Sequence, residues 1–317
     1  MGDAMDVMIC ERFIPMKSQS VRRVILYDDV VKLKEPWEIK RERVRTASPY
    51  GHLRNWNVLS VIVKSGDDLR QDVLASQLLL QFELIWKTEK VDLWLRPVRA
   101  MITSNNSGII ETIHDAISIH SIKKHNNGSL YEYFVQEYGP VGCPRWNKAQ
   151  YNFIQSMAAY SLVAYFLQIK DRHNGNIMLT RDGHLVHIDF GYFISSSPRN
   201  MGFESAPFKL TTEFVQVMGG VDSPGYRKFR DLLFIGFVTA KKHMENILVL
   251  VDIMQKGSDL PCFVAGLECR RLMKERFFHS ETEHNLKLLV NGLVDRSLDA
   301  MSTVLYDNYQ YYTNGIL

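Results

Sequence analysis

Two hydrophobic periods succeed one another along this chain, and the change between them divides it. Leu59 to Val63 (LSVIV) is a β-branched apolar run closed by Lys64-Ser65-Gly66, which predicts a strand and a turn. From Asp68 to about Lys87 the pattern becomes that of a long helix. Leu93 to Thr103 reads as a strand whose interior Pro97 places it at an edge or bulge, and Asn105-Asn106-Ser107-Gly108 turns into a further strand, Ile109 to Ile113. After the loop His125-Asn126-Asn127-Gly128, Ser129 is placed to cap a helix Leu130 to Tyr138, and a long apolar helix follows from about Lys148 to Ile169. Within this helical half, Asn176 to Thr180 and His184 to Ile188 flank Arg181-Asp182-Gly183, a strong hairpin signal. The expectation is an α+β protein with a sheet-rich part over residues 21–113 and a mainly helical part over 114–317. Residues 1–20 read as a leader or the edge of a longer protein. No internal repeat or low-complexity tract interrupts the pattern.

Composition narrows the function classes. At 317 residues and 46% hydrophobic composition, the chain can build two cores around a cleft. A net charge of +3, from 38 basic and 35 acidic residues, is too small for a nucleic-acid binder and suits a mildly anionic partner such as lipid. Cys10, Cys143, Cys262 and Cys269 form no CxxC pair and no metal-ligand spacing with histidine, so neither a zinc site nor a disulfide framework is expected, and a reducing, cytoplasmic setting follows. No apolar run reaches the length of a membrane span, because Lys241 and Lys242 separate Phe234 to Ala240 from Ile247 to Val251, so membrane contact is expected to be peripheral. Asp6 stands where a myristoylation signal beginning at Gly2 would have Ser or Thr.

The chemistry concentrates in 21 residues. Phosphoryl transfer needs metal-held phosphates, a lysine on the phosphate oxygens and a group that orients the attacking hydroxyl. In Asp171-Arg172-His173-Asn174-Gly175-Asn176 an acid and an asparagine are separated as in the catalytic loop of protein kinases, and Asp189-Phe190-Gly191 follows the hairpin. The hairpin would hold Asn176 and Asp189 at neighbouring strand ends, where two hard oxygen ligands suit Mg²⁺.

Gly66-Asp67-Asp68-Leu69-Arg70-Gln71-Asp72, Asp171 to Asn176 and His187-Ile188-Asp189-Phe190-Gly191 resemble, in order and spacing, the phosphatidylinositol 3/4-kinase superfamily. Ser48-Pro49-Tyr50-Gly51-His52-Leu53, Ser118-Ile119-His120, Phe208 to Phe214 and Met218-Gly219-Gly220 look more narrowly like its type III beta 4-kinase class, over about Lys34 to Leu317. The resemblance implies a bilobal, protein-kinase-like fold with ATP and Mg²⁺ in the cleft. It assigns Lys64 to the ATP phosphates, Asp72 to holding that lysine, and the backbone of Ser48, Pro49, Tyr50 and Gly51 to covering the phosphates. Ile110, Glu111, Thr112 and Ile113 become the adenine hinge between apolar walls that include Ile62, Met178 and Ile188. Asn176 and Asp189 become metal ligands. Asp171 would orient or deprotonate the inositol hydroxyl and His173 would supply positive charge; which of the two is the base stays open. Arg172 reads as a loop tether, His187 as a packed histidine with a satisfied hydrogen bond, and Asp67 and Asp68 as either caps or catalytic groups.

By the same resemblance Tyr192 to Phe214 is the activation loop that meets the headgroup. It offers only Arg199 and Lys209 as cations against Glu204 and Glu213, which suits unphosphorylated phosphatidylinositol better than a polyphosphorylated lipid. The 4-hydroxyl, Golgi membranes and small-GTPase or adaptor partners are implied by the resemblance alone. Leu298, Met301, Leu305, Tyr309 and Tyr312 form a stripe that suits either a membrane interface or packing on the helical lobe. A phosphatidylinositol 3-kinase, a Ser/Thr protein kinase of the related large-kinase group and a non-catalytic binding module are the competing readings.

Overall fold

The computed structural model describes residues 7–11, 35–66, 68–126, 129–196 and 205–317. Strands β1 (Val7–Glu11), β2 (Val58–Ser65), β3 (Ala100–Ser104) and β4 (Ser107–Glu111) form an antiparallel sheet in the order β1-β2-β4-β3. β1 falls inside the stretch expected to be a leader and instead pairs with the β2 run. α1 (Trp37–Ala47) precedes β2, and α2 (Arg70–Thr88) follows it, burying Leu74, Leu78, Phe82, Ile85 and Trp86 at helical spacing. Leu69 is the N-cap residue and offers no side-chain cap, while Oδ1 of Asp68 just ahead of it accepts from the Arg70 amide at 3.0 Å; Asp67 lies outside the described residues.

Of the expected Leu93 to Thr103 strand only the part from Ala100 enters the sheet, and β3 runs on to Ser104. Pro97 has no amide to donate, and the Tyr160 hydroxyl meets both the amide and the carbonyl of Arg96, at 3.2 and 3.3 Å, so a side chain replaces the ladder there. β4 begins two residues earlier than expected because Gly108 joins the ladder opposite Lys64.

The second sheet, in the order β5-β6-β7, joins β5 (Ala116–Ser118) to the hairpin of β6 (Ile177–Thr180) and β7 (Leu185–His187). Helices α3 (Ile119–His125), α4 (Leu130–Tyr138) and α5 (Pro144–Leu167) lie between β5 and β6. Ser129 caps α4 as expected, accepting from the Glu132 amide. α5 starts four residues before the expected Lys148, because Pro144 occupies its first position and Cys143 caps it through sulfur. Its C-terminal half is buried almost throughout, making α5 the axis of the core. The remaining helices are α6 (Thr212–Val217), α7 (Pro224–Lys242), α8 (Met244–Gln255), α9 (Glu268–Arg276), α10 (Glu283–Ser297) and α11 (Met301–Asn314). Among the described residues no helix is long and apolar enough to cross a membrane.

The hairpin turn ties β6 and β7 to α5. Gly183 has φ +95°, and a Cβ there would stand 2.7 Å from the Ala149 carbonyl oxygen. Gly220 has nearly the same conformation, φ +96°, with open space around it. Gly220→Ala should therefore carry only the left-handed cost of roughly 1–2 kcal/mol. Gly183→Ala should lose about 1–3 kcal/mol more from overpacking, a difference readable by urea denaturation of the two variants.

Candidate active site

α5 ends with Gln168 in the left-handed conformation, and the chain then runs past Asp171 into a 3-10 turn, Asn174–Asn176, that opens β6. Asp171 and Asp189 are themselves left-handed, with φ +63° and +58°, a geometry that non-glycine residues hold only when their surroundings enforce it. Arg172 supplies much of that enforcement. It is 4% exposed, and its guanidinium donates to the carbonyls of Lys170 (2.9 Å), Ile188 (2.8 Å) and Asp189 while lying over the Phe190 ring. The loop-tether role expected for Arg172 is therefore what the geometry provides.

The hairpin brings the two candidate metal ligands together. Ile177 pairs with His187, and the Ile188 amide donates to the Asn176 carbonyl at 3.1 Å. Nδ2 of Asn176 is committed to Asp171, 3.0 Å from its carbonyl and 3.4 Å from Oδ2, which makes the amide oxygen of Asn176 its ligand-capable atom. Asp189 is exposed and its Oδ1 accepts from the Gly191 amide at 3.4 Å. An amide oxygen and a carboxylate on neighbouring strand ends fit a hard divalent cation.

α2 reaches the same segment. Oδ1 of Asp72 accepts from the Phe190 amide at 3.3 Å, while Gln71 donates to the Gly191 carbonyl at 2.9 Å and accepts from the Cys262 amide at 2.8 Å. Gln71 was not singled out from sequence, because an amide side chain beside an acidic motif carries no signal until its partners, 120 and 191 residues away, are known. Lys64 sits on the last full turn of the β2 ladder opposite Gly108, half-buried. The apolar positions Ile62, Ile110, Met178 and Ile188 are all half-buried.

Several expectations change. The amides of Ser48, Tyr50 and Gly51 bond within their own turn, to the Arg45 carbonyl, the Ser48 hydroxyl and the Ser48 carbonyl, because the loop must first satisfy the C-terminus of α1. Gly51 is there for space, since a Cβ would stand 1.9 Å from the Arg45 oxygen. In the hinge, Ile110 and Glu111 belong to β4, and Glu111 and Thr112 donate their amides to the carbonyls of Arg99 and Ser60. Glu111 also pairs with Arg96 at 2.6 Å, and Trp37 of α1 stacks on His114 and donates to Asp115 at 3.0 Å, bracing the segment that follows.

Lys209, expected at the headgroup, is buried, with Nζ 2.7 Å from both carboxylate oxygens of Asp307 on α11. Burial of an ammonium requires such a partner, which is why this lysine turns inward. Arg199 and Glu204 lie outside the described residues.

His173 differs as well. Its Nδ1 accepts from the Gly175 amide at 3.1 Å, so the neutral ring carries its proton on Nε2, 3.7 Å from Oδ1 of Asp171. Burial lowers its pKa, against the opposing pull of Asp171, so the ring offers an N–H donor rather than the positive charge expected of it. His187 is packed as expected, stacked on Tyr160 at 4.5 Å, but its buried Nδ1 has no hydrogen-bond partner among the described residues.

The sequence matches the family model described as phosphatidylinositol 3- and 4-kinase over residues 59–263, and the chain belongs to that family. It is 53% identical over 287 residues to proteins named phosphatidylinositol 4-kinase beta from Homo sapiens and Callithrix jacchus, covering 90% of this chain and 35% of each relative. The relative of that name from Xenopus laevis is also 53% identical, over 36% of its length. The chain thus spans about a third of the length of the curated relatives it matches. Membership in a kinase family implies ATP as phosphate donor and a divalent metal ion.

Burial pushes the His187 pKa well below the ordinary histidine value. The folded chain then binds fewer protons than the unfolded chain below pH about 6.5, so this histidine's contribution is intact above that pH and falls as acid is added. Its slope is at most about 1.4 kcal/mol per pH unit. His187→Phe, which keeps a ring against Tyr160, should flatten the decline of melting temperature between pH 7.5 and 5.5.

Proposed function

We propose that this chain is the catalytic core of a lipid kinase that transfers the γ-phosphoryl group of ATP to the 4-hydroxyl of phosphatidylinositol, giving phosphatidylinositol 4-phosphate. The observation that carries the kinase reading is the convergence of Asp171, Asn176 and Asp189 around the β6–β7 hairpin, with Arg172 bonded to the carbonyls of Lys170 before the loop and of Ile188 and Asp189 after the hairpin. The lipid and its regiochemistry rest on the similarity to the 4-kinase relatives. The four-stranded sheet with α2 is the small lobe in this reading and the helical remainder the large one.

In that cleft the adenine lies between Ile62 and Ile110 on one side and Met178 and Ile188 on the other, and Ile113 begins the hinge that contacts its edge. Lys64 neutralises phosphate oxygens, and Asp72, bonded to the Phe190 amide, keeps α2 seated on the Asp189 segment. Asn176 and Asp189 hold Mg²⁺, which supplies charge neutralisation on the phosphates. Asp171 takes the proton of the inositol hydroxyl as its oxygen attacks the γ-phosphorus, and the bond to the ADP oxygen breaks with its electron pair leaving on ADP. Nε2–H of neutral His173 donates to a phosphate oxygen.

Engagement of Lys209 by Asp307 removes one of the two cations of the substrate loop, which strengthens the preference for an inositol ring without added phosphates. The apolar stripe of α11 faces outward, with Met301 77% and Tyr312 82% exposed while Tyr306 and Gln310 face in. That division favours the membrane-interface reading of Met301, Leu305, Tyr309 and Tyr312; Leu298 lies ahead of the helix. Peripheral attachment to Golgi membranes, with small-GTPase or adaptor partners, follows from the resemblance.

Radiolabelled ATP offered with phosphatidylinositol vesicles and, separately, with a Ser/Thr peptide should label the lipid, and the product should be the 4-phosphate. Peptide labelling without lipid labelling would replace this reading with that of a protein kinase. Asp189→Ala should lower kcat by about a thousandfold or more, the loss of several kcal/mol of transition-state stabilisation.

A further inference from the structure

α11 carries an inward face that the hydrophobic pattern does not reveal. Tyr306, Gln310 and Asn314 recur at steps of four, so they lie above one another on one side of the helix. Tyr306 and Gln310 are 7% and 6% exposed. Nδ2 of Asn314 donates to Oε1 of Gln310 at 2.6 Å, and Nε2 of Gln310 donates to the Tyr306 hydroxyl oxygen at 2.7 Å. The Tyr306 hydroxyl donates to Oδ1 of Asp171, and Nε2 of Gln310 stands 3.5 Å from the same oxygen.

The order of donors is determined by the chemistry of the three side chains. Because the Asn314 amide nitrogen faces the Gln310 oxygen, the Gln310 nitrogen must be the atom on Tyr306. A hydroxyl oxygen that already accepts there directs its own hydrogen elsewhere, and the carboxylate is the acceptor in reach. Three donors in series thus end on one charged oxygen, an arrangement in which each bond polarises the next.

We propose that Tyr306 is a positioning residue for phosphoryl transfer. Its hydroxyl, oriented by Gln310 and Asn314, assigns Oδ1 of Asp171 to α11, so that Oδ2, beside Nδ2 of Asn176 at 3.4 Å, is the oxygen turned to the incoming hydroxyl. The next residue, Asp307, holds Lys209 of the activation loop, so one turn of α11 sets both the catalytic carboxylate and the loop beside it. This inference rests on the reading of Asp171 as the group that takes the substrate proton.

The test uses the 317-residue chain with ATP, Mg²⁺ and phosphatidylinositol vesicles, following lipid phosphate and ADP together. Tyr306→Phe removes one oxygen from a buried ring and should lower kcat about ten- to thirtyfold, the size of one hydrogen bond to a charged group. The KM for ATP should stay within about twofold. Gln310→Glu places an acceptor where the donor was, turns the hydroxyl away from Asp171 and should produce a similar fall. The double variant should be no slower than the slower single one, as expected of residues acting through one bond. Tyr311→Phe, on the exposed side of the helix, should match the unaltered chain.

An unchanged kcat in Tyr306→Phe, a loss that appears in the KM for ATP or follows a fall in melting temperature, or multiplicative effects in the double variant would each overturn the proposal. If the unaltered chain releases ADP without labelling lipid, the substrate reading fails instead, and the same ratios measured on ADP release decide the role of Tyr306.

Discussion

A single buried guanidinium organises the centre of this molecule. Arg172 has five N–H donors in a planar fork, and it meets three carbonyls from two segments, that of Lys170 two residues away and those of Ile188 and Asp189 16 and 17 residues away in sequence. Without those bonds the left-handed backbone at Asp171 and Asp189 would have only local forces to hold it, and each such residue is costly on its own. Lysine could not replace arginine here, because a point charge cannot satisfy carbonyls on both sides at once. The hairpin and the guanidinium therefore work together: one aligns the strands, the other bends the two aspartates out of them.

Around this centre the neighbouring elements are tied in by side chains rather than by apolar packing alone. Gln71 and Asp72 stitch the start of α2 to the backbone of Phe190 and Gly191, so a shift of that helix must move the Asp-Phe-Gly segment with it. Trp37 and Asp115 do the same for α1 and the hinge. α11 closes the other side, holding Asp171 through Tyr306 and Lys209 through Asp307. In each case a polar bond between distant residues converts packing, which tolerates sliding, into a defined relative position.

Electrostatics follow from burial. His173 and His187 lie within the structure without a carboxylate strong enough to offset desolvation, so both favour the neutral ring. Lys209 is the opposite case, buried with a carboxylate on its ammonium. The same residue types would titrate or pair quite differently on an exposed loop, which is why a charge count along the sequence placed Lys209 at the headgroup while the fold pairs it with Asp307.

What could be read from the residues alone was whatever depends on neighbours in sequence. The Asp-Gly turn, the Ser129 cap, the β2 run and the α2 periodicity are local, and their consequences appear where they were expected. The nearness of Asp171, Asn176 and Asp189 was local too, because the three lie within one loop and one hairpin. Local boundaries failed where a long-range partner intervened, as when Tyr160 took the Arg96 backbone out of the sheet. The roles of Gln71, Tyr306 and Lys209 were decided only by tertiary structure. Each depends on which group ends up beside it after the chain folds, and a hydrogen bond or ion pair across 98 or 135 residues leaves no periodicity in the sequence by which to find it.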